Sequence, residues 1–267
     1  MKQRKRIPWG QVIGTGLSLA MGVGCGVVLT SWFDRCPAGV SRPLWALGLA
    51  AAFLLALLAQ ITLHEGGHLV CGLLSGYRFC SFRVGSLMWM KVDGHLRLRR
   101  LRLAGTDGQC LMSPPDMVDG RLPVTLYNFG GALANLLTAV LALALYGPAR
   151  RVPLLAAFLL FLAVIGGFTA AMNGIPPRLG DIDKGGRNAL SLGRDPAALR
   201  AFWVQMKVAE AQARGLRLRE MPEDWFSMPG DEALQNAMTA AQGVLVCNRL
   251  VDEGRLAEAD RAIAHPL

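Results

Sequence analysis

Four long apolar runs, separated by short or charged connections, dominate the 267-residue chain. They cover about Trp9 to Trp32, Leu44 to Leu74, Val124 to Tyr146 and Pro153 to Met172. As a helix, each is long enough to cross a hydrocarbon layer of roughly 30 Å. The first follows Lys2, Arg4, Lys5 and Arg6 and superficially resembles a signal peptide. It is too long for the apolar core of one and has no persuasive cleavage site, so it is expected to stay as an uncleaved span.

The pattern changes between the second and third runs, in residues 77–122. Phe82-Arg-Val-Gly-Ser-Leu-Met-Trp-Met-Lys-Val leads to Asp93-Gly94 and then to His95-Leu-Arg-Leu-Arg-Arg-Leu-Arg-Leu, where alternation is strongest. Asp-Gly between such runs predicts a β-hairpin: a two-stranded ribbon at the membrane surface, apolar edge down and arginines toward lipid phosphates. Its open edge has two readings of equal weight, pairing with an extended substrate or simple anchoring to headgroups. His95, beside the turn, is expected to be a solvated loop residue.

After the fourth run the chain becomes charged and alanine-rich. Helical periodicity opens at Asp195-Pro196, continues to about Arg219, breaks over Met221 to Gly230 and resumes from Asp231 to Ala264. Trp203, Trp225 and Phe226 fit the core of this small helical region. The predicted fold class is therefore an α-helical polytopic membrane protein. It has about four transmembrane helices, a membrane-surface β-hairpin loop and a small helical cytosolic C-terminal region. Residues 1–190 form the membrane core and 191–267 the cytosolic part.

Composition agrees with this. With 52% hydrophobic residues and a mean hydropathy of +0.35, the chain is too apolar for an ordinary globular domain. The net charge of +9 arises from Lys and Arg beside the apolar runs, not from an aromatic-studded basic stripe, which argues against nucleic acid as a partner. The positive-inside rule places the N-terminus in the cytoplasm, the loop from Asp34 to Pro43 outside, and the basic loop carrying Arg78, Arg83, Lys91, Arg97, Arg99, Arg100 and Arg102 inside. Arg150 and Arg151 run against the rule but are outnumbered. The expected setting is a bacterial cytoplasmic membrane, crossed several times, with both termini cytoplasmic. The six cysteines show no Cys-x-x-Cys pair and imply no disulfide framework.

Within the second run lies His64-Glu65-Gly66-Gly67-His68. Histidines four apart stack on one helix face, where a zinc ion can bridge their ring nitrogens while the glutamate reaches a water on the metal. Ionisable residues in a spanning segment are costly and point to function. Two glycines in mid-helix cost about 1 kcal/mol each relative to alanine, which suggests that they let something approach the metal closely. Catalytic zinc takes three protein ligands, and His95 and His265 are poorly placed to supply the third. A carboxylate is expected instead. The stretch Asn173-Gly-Ile-Pro176-Pro-Arg-Leu-Gly-Asp181-Ile-Asp183-Lys-Gly-Gly-Arg187 offers two at the same expected depth.

These elements together resemble the site-2 protease family of intramembrane zinc metalloproteases: the His-Glu-x-x-His pair in an early span, then Asn-x-x-Pro, then an aspartate close to glycines. The resemblance covers about residues 44 to 190. It implies His64 and His68 as zinc ligands, Glu65 as general base and Asn173 as a polar helper for the substrate or the reacting carbonyl. Gly131-Ala-Leu-Ala-Asn135 resembles the family's Gly-Pro-x-x-Asn element, with alanine in place of proline, and implies close helix packing beside the site. The family's aspartate is followed directly by glycine. Here Asp181 has the usual distance from Pro176 but precedes isoleucine, while Asp183 lies nearer Gly185 and Gly186; Asp183 is favoured as third ligand, with Asp181 the alternative.

The activity implied is hydrolysis of peptide bonds in membrane-spanning or membrane-associated substrates by zinc-activated water. A helical substrate must unwind locally, because its carbonyls are tied up in backbone hydrogen bonds. Two other readings compete. One is a non-hydrolytic metal-binding scaffold or transporter partner, supported only by the altered Asp-Gly element. The other is a metal-handling membrane protein, which would call for more His, Cys or acidic residues along several spans. The substrate's identity, and whether copies assemble into a homo-oligomer, are not written in the sequence.

Overall fold

The structure is a computed structural model that describes residues 9–92, 94–101, 107–174, 192 and 195–264. Asp181, Asp183, Pro176, the Gly185-Gly186 pair and His265 lie outside the described residues. The chain divides into two compact units. One comprises residues 1–70 and 128–187, the other residues 71–127 and 188–267. The second groups the sheet-bearing loop with the C-terminal helices.

The first unit is helical. Helices α1 (Trp9–Phe33), α2 (Arg42–Leu74), α3 (Val124–Ala149) and α4 (Pro153–Gly174) are long and apolar enough to cross a membrane, and their ends fall within three residues of the predicted ones. Their contact faces use small residues, which let helices approach where no water drives them together. Leu49, Ala56, Ala156 and Ala157 are fully buried, with Phe161 among them. Gly24 of α1 leaves room for α4: a Cβ there would stand 2.9 Å from Val164 Cγ1. The Trp45 indole N–H donates to the Trp32 carbonyl at 2.8 Å, fastening the start of α2 to the end of α1. Outward faces carry Leu54, Leu55 and Leu58 of α2 and Leu136, Leu137 and Leu141 of α3, all exposed. Helices apolar all round suit lipid as their solvent.

The second unit contains a four-stranded antiparallel sheet, so the predicted two-stranded ribbon is only part of it. Strands β1 (Arg78–Val84), β2 (Leu87–Val92), β3 (His95–Arg100) and β4 (Gly108–Ser113) lie in the order β3-β2-β1-β4. The run from Phe82 to Val92 is not one strand. It folds back at Gly85-Ser86, where Val84 pairs with Leu87 and Gly85 adopts φ +57°, a left-handed conformation glycine accepts without cost. The predicted turn does occur between β2 and β3, with Val92 opposite His95. His95 is exposed, but as the first residue of a strand and not in a loop.

Ser81, Arg83 and Met90 face the buried side of this sheet, whereas Trp89, Leu96 and Leu98, which share the other side, are exposed. The C-terminal helices α5 (Pro196–Ala213), α6 (Ala237–Asp252) and α7 (Leu256–Ile263) complete the unit. Asp195 caps α5 by accepting from the Ala197 and Ala198 amides at 3.0 Å, and Pro196 occupies the first turn, where its missing N–H costs nothing. Phe226 is buried in this region's core, with Trp203 and Trp225 edge to face beside it, centroids 5.7 Å apart.

Helix α5 rests on the sheet-bearing loop through polar contacts about one turn apart. The Trp203 indole donates to the Pro115 carbonyl at 2.9 Å, Lys207 reaches Asp116 at 3.3 Å, and the Ser113 hydroxyl donates to the Glu210 carboxylate.

Candidate metal centre

The His-Glu pair lies in the first unit, ten residues and fewer from the C-terminal end of α2. One turn of helix brings His64 and His68 to the same face, with ring centroids 4.9 Å apart and planes crossing at 85°. His64, Glu65 and His68 are all half-buried.

The two glycines between them differ in use. A Cβ at Gly67 would strike the Gly130 carbonyl oxygen and stand 2.7 Å from Ala134 Cβ, so Gly67 admits the backbone of α3. At Gly66 the same test meets nothing within 4 Å. Helix α3 answers with a glycine of its own: a Cβ at Gly131 would sit 2.6 Å from His64 Nε2 and 2.7 Å from Nδ1. The imidazole therefore lies directly against the α3 backbone. The Gly131-to-Asn135 element serves close packing, as the sequence implied, and also supplies the ring's partner one turn on.

That partner is Asn135, which is fully buried; its Oδ1 lies 2.5 Å from His64 Nδ1. The Asn135 amide nitrogen donates to the Gln60 main-chain carbonyl at 3.1 Å and to Gln60 Oε1 at 2.5 Å. With its nitrogen so engaged, Asn135 presents its oxygen to the ring. His64 Nδ1 then carries a proton, and in the neutral ring the lone pair falls on Nε2; the Gly131 main chain is a second hydrogen-bond partner of the ring. Metal-ligating histidines are held in just this way, by an acceptor on the nitrogen that does not bind metal. On this test the donors present would suit zinc: two half-buried imidazoles on one face, one of them held by Asn135 on Nδ1.

Asn173 lies in the last turn of α4, half-buried, its amide donating to the Thr169 carbonyl at 2.9 Å. The next residue, Gly174, reaches the level of the histidines: a Cβ there would stand 3.5 Å from Ala132 Cβ, and Ala132 adjoins Gly131. The chain thus leaves α4 beside α3, the helix against which the His64 ring packs, and Asp181 and Asp183 follow outside the described residues. Among the described residues no three His, Cys, Asp or Glu side chains gather in a metal-sized group.

Sequence reasoning passed over Gln60 and Thr138. Thr138 Oγ1 lies 3.3 Å from Gln60 Oε1 and also back-bonds to the Ala134 carbonyl at 2.9 Å. Gln60 is 1% exposed. A signal was present: a glutamine inside an apolar span, one helical turn before a histidine, faces the same way and is too costly there to be idle. Comparison of the chain with protein-family models, curated proteins and solved structures returns no match.

Proposed function

We propose that this protein is an intramembrane zinc metalloprotease, with His64, His68 and one of Asp183 and Asp181 as metal ligands and Glu65 as general base. The observation that carries the reading is His64 Nε2: its lone pair is made available by the Asn135 contact on Nδ1, on the face His68 shares, inside a helix apolar enough to span a bilayer. When bound, zinc supplies Lewis acidity, polarising a carbonyl and making water acidic enough to lose a proton near neutral pH.

The protein's own groups do the rest. Glu65, next to His64 in the chain, takes a proton from the attacking water as its oxygen bonds to the carbonyl carbon. As the C–N bond breaks, Glu65 returns that proton to the leaving amine. Asn173 orients the extended substrate or its carbonyl.

The exposed Trp89, Leu96 and Leu98 face of the sheet suits a ribbon lying on a cytoplasmic membrane; Arg97 and Arg99, on the opposite face, then turn away from the lipid phosphates instead of toward them. Both termini are then cytoplasmic, and the substrates are membrane-spanning or membrane-associated peptides.

The test uses purified full-length protein in detergent. It is expected to hold one zinc and to cleave a membrane-spanning peptide, whereas Glu65→Gln keeps the metal and loses cleavage. Equal cleavage by the two forms would remove Glu65 from its role; absence of zinc from the native protein would remove the whole reading.

A further inference from the structure

The contacts around His64 do not stop at Asn135. Gln60 Nε2 donates to the Leu162 carbonyl of α4 at 2.8 Å, and a main-chain carbonyl can only accept. That fixes the Gln60 amide with its nitrogen toward α4 and its oxygen toward Asn135. Asn135 must then turn its nitrogen to Gln60 and its oxygen to His64. Gly166 gives Gln60 the room it needs: a Cβ there would stand 3.0 Å from Gln60 Cδ and 2.8 Å from the Asn135 carbonyl oxygen. Each link has one allowed direction: the Leu162 carbonyl orients the Gln60 amide, and Gln60, through its side-chain and main-chain oxygens together, orients Asn135.

We propose that Gln60 is a positioning residue that selects the tautomer of His64, acting through Asn135 so that Nε2 is the nitrogen offered to metal. The inference rests on the metalloprotease reading for its purpose but not for its geometry. Free neutral histidine prefers its proton on Nε2, so the relay works against the intrinsic preference of the ring. Mere helix gluing would not need this polarity: an interhelical hydrogen bond of either sense holds helices together equally well. Gln60 also ties α4, whose end leads to the candidate aspartates, to the histidine on α2.

The experiment takes full-length, metal-free protein labelled with 15N-histidine in detergent micelles. Long-range proton–nitrogen correlation reads the tautomer, with the His64 signal identified by its loss in His64→Asn. Native His64 is expected to be protonated on Nδ1. In Gln60→Met the residue-60 main-chain carbonyl still accepts from Asn135, so a partial shift toward Nε2 protonation is expected, with about a tenfold loss of zinc affinity in chelator competition. Gln60→Glu, neutral in so apolar a place, both donates and accepts and is expected to restore the native tautomer.

Native His64 protonated on Nε2 overturns the proposal whatever the variants do, as does a Gln60→Met protein that folds and keeps the native tautomer. Nδ1 protonation in a protein that binds no zinc would sink the protease reading and leave the relay standing. Cleavage with a tautomer indifferent to Gln60 would do the reverse.

Discussion

Gly67 of α2 and Gly130 of α3 touch backbone to backbone, with no space for a side chain at residue 67. Its neighbour Gly66 opens onto free space. Adjacent glycines in one motif should therefore respond in opposite directions. Gly67→Ala is expected to pry α2 from α3 and cost about 1–3 kcal/mol, the usual range for overpacking. Gly66→Ala is expected to be neutral or to stabilise by up to about 1 kcal/mol, since alanine favours helix. Thermal unfolding of both variants in one detergent checks this; a larger loss for Gly66→Ala would contradict the packing described.

The two candidate aspartates are separable. Asp183→Ala is expected to lose zinc by a large factor and Asp181→Ala to retain most of it, measured as metal content after dialysis. The reverse order would move the ligand to Asp181. Equal retention in both would place the third ligand elsewhere.

The four long apolar helices were legible because an apolar run of twenty residues has few alternatives, and the turn at Gly94 because Asp-Gly between alternating runs favours one. Strands β1 and β4 were not. Their inward positions include Ser81, Arg83 and Ser113, all buried, which breaks the alternation a reader looks for. The histidines were plain from their spacing. Gln60 and the polarity of its amide were not, because a hydrogen-bond direction depends on which carbonyl lies opposite, and Leu162 is 102 residues away.

Cys80 of β1 reports on its surroundings through its acidity. Burial first, and the Glu210 carboxylate second, push its thiol from 9.0 up to about 11, against the smaller opposing pull of Arg214 and Arg78. The folded protein thus prefers the neutral thiol. Its contribution to stability is intact below pH 9 and is lost as pH climbs toward 11. Alkylation of Cys80 at pH 8 is expected to be about 100-fold slower than that of an ordinary thiol, and Glu210→Gln to quicken it. Mass-spectrometric rates decide the matter; a rate equal to that of a free thiol contradicts it.

Glu210 is a carboxylate only 6% exposed, held by the Ser113 hydroxyl and by Arg214. Removing one partner leaves a buried charge short of a donor. Ser113→Ala is expected to cost about 1–3 kcal/mol and to loosen α5 from the loop after β4, seen as faster proteolysis of the C-terminal helices. Unchanged proteolysis would show that the Trp203 and Lys207 contacts suffice.

Helix α2 has 33 residues, which amounts to about 50 Å of rod set against roughly 30 Å of hydrocarbon. Tilting absorbs only part of that surplus, so at least one end emerges among the headgroups. The imidazole pair begins ten residues from the C-terminal end, about 15 Å along the axis. With the surplus of about 20 Å shared between its two ends, the pair would lie about 5 Å inside the hydrocarbon edge, and under the proposed function a target segment would meet it near the bilayer margin.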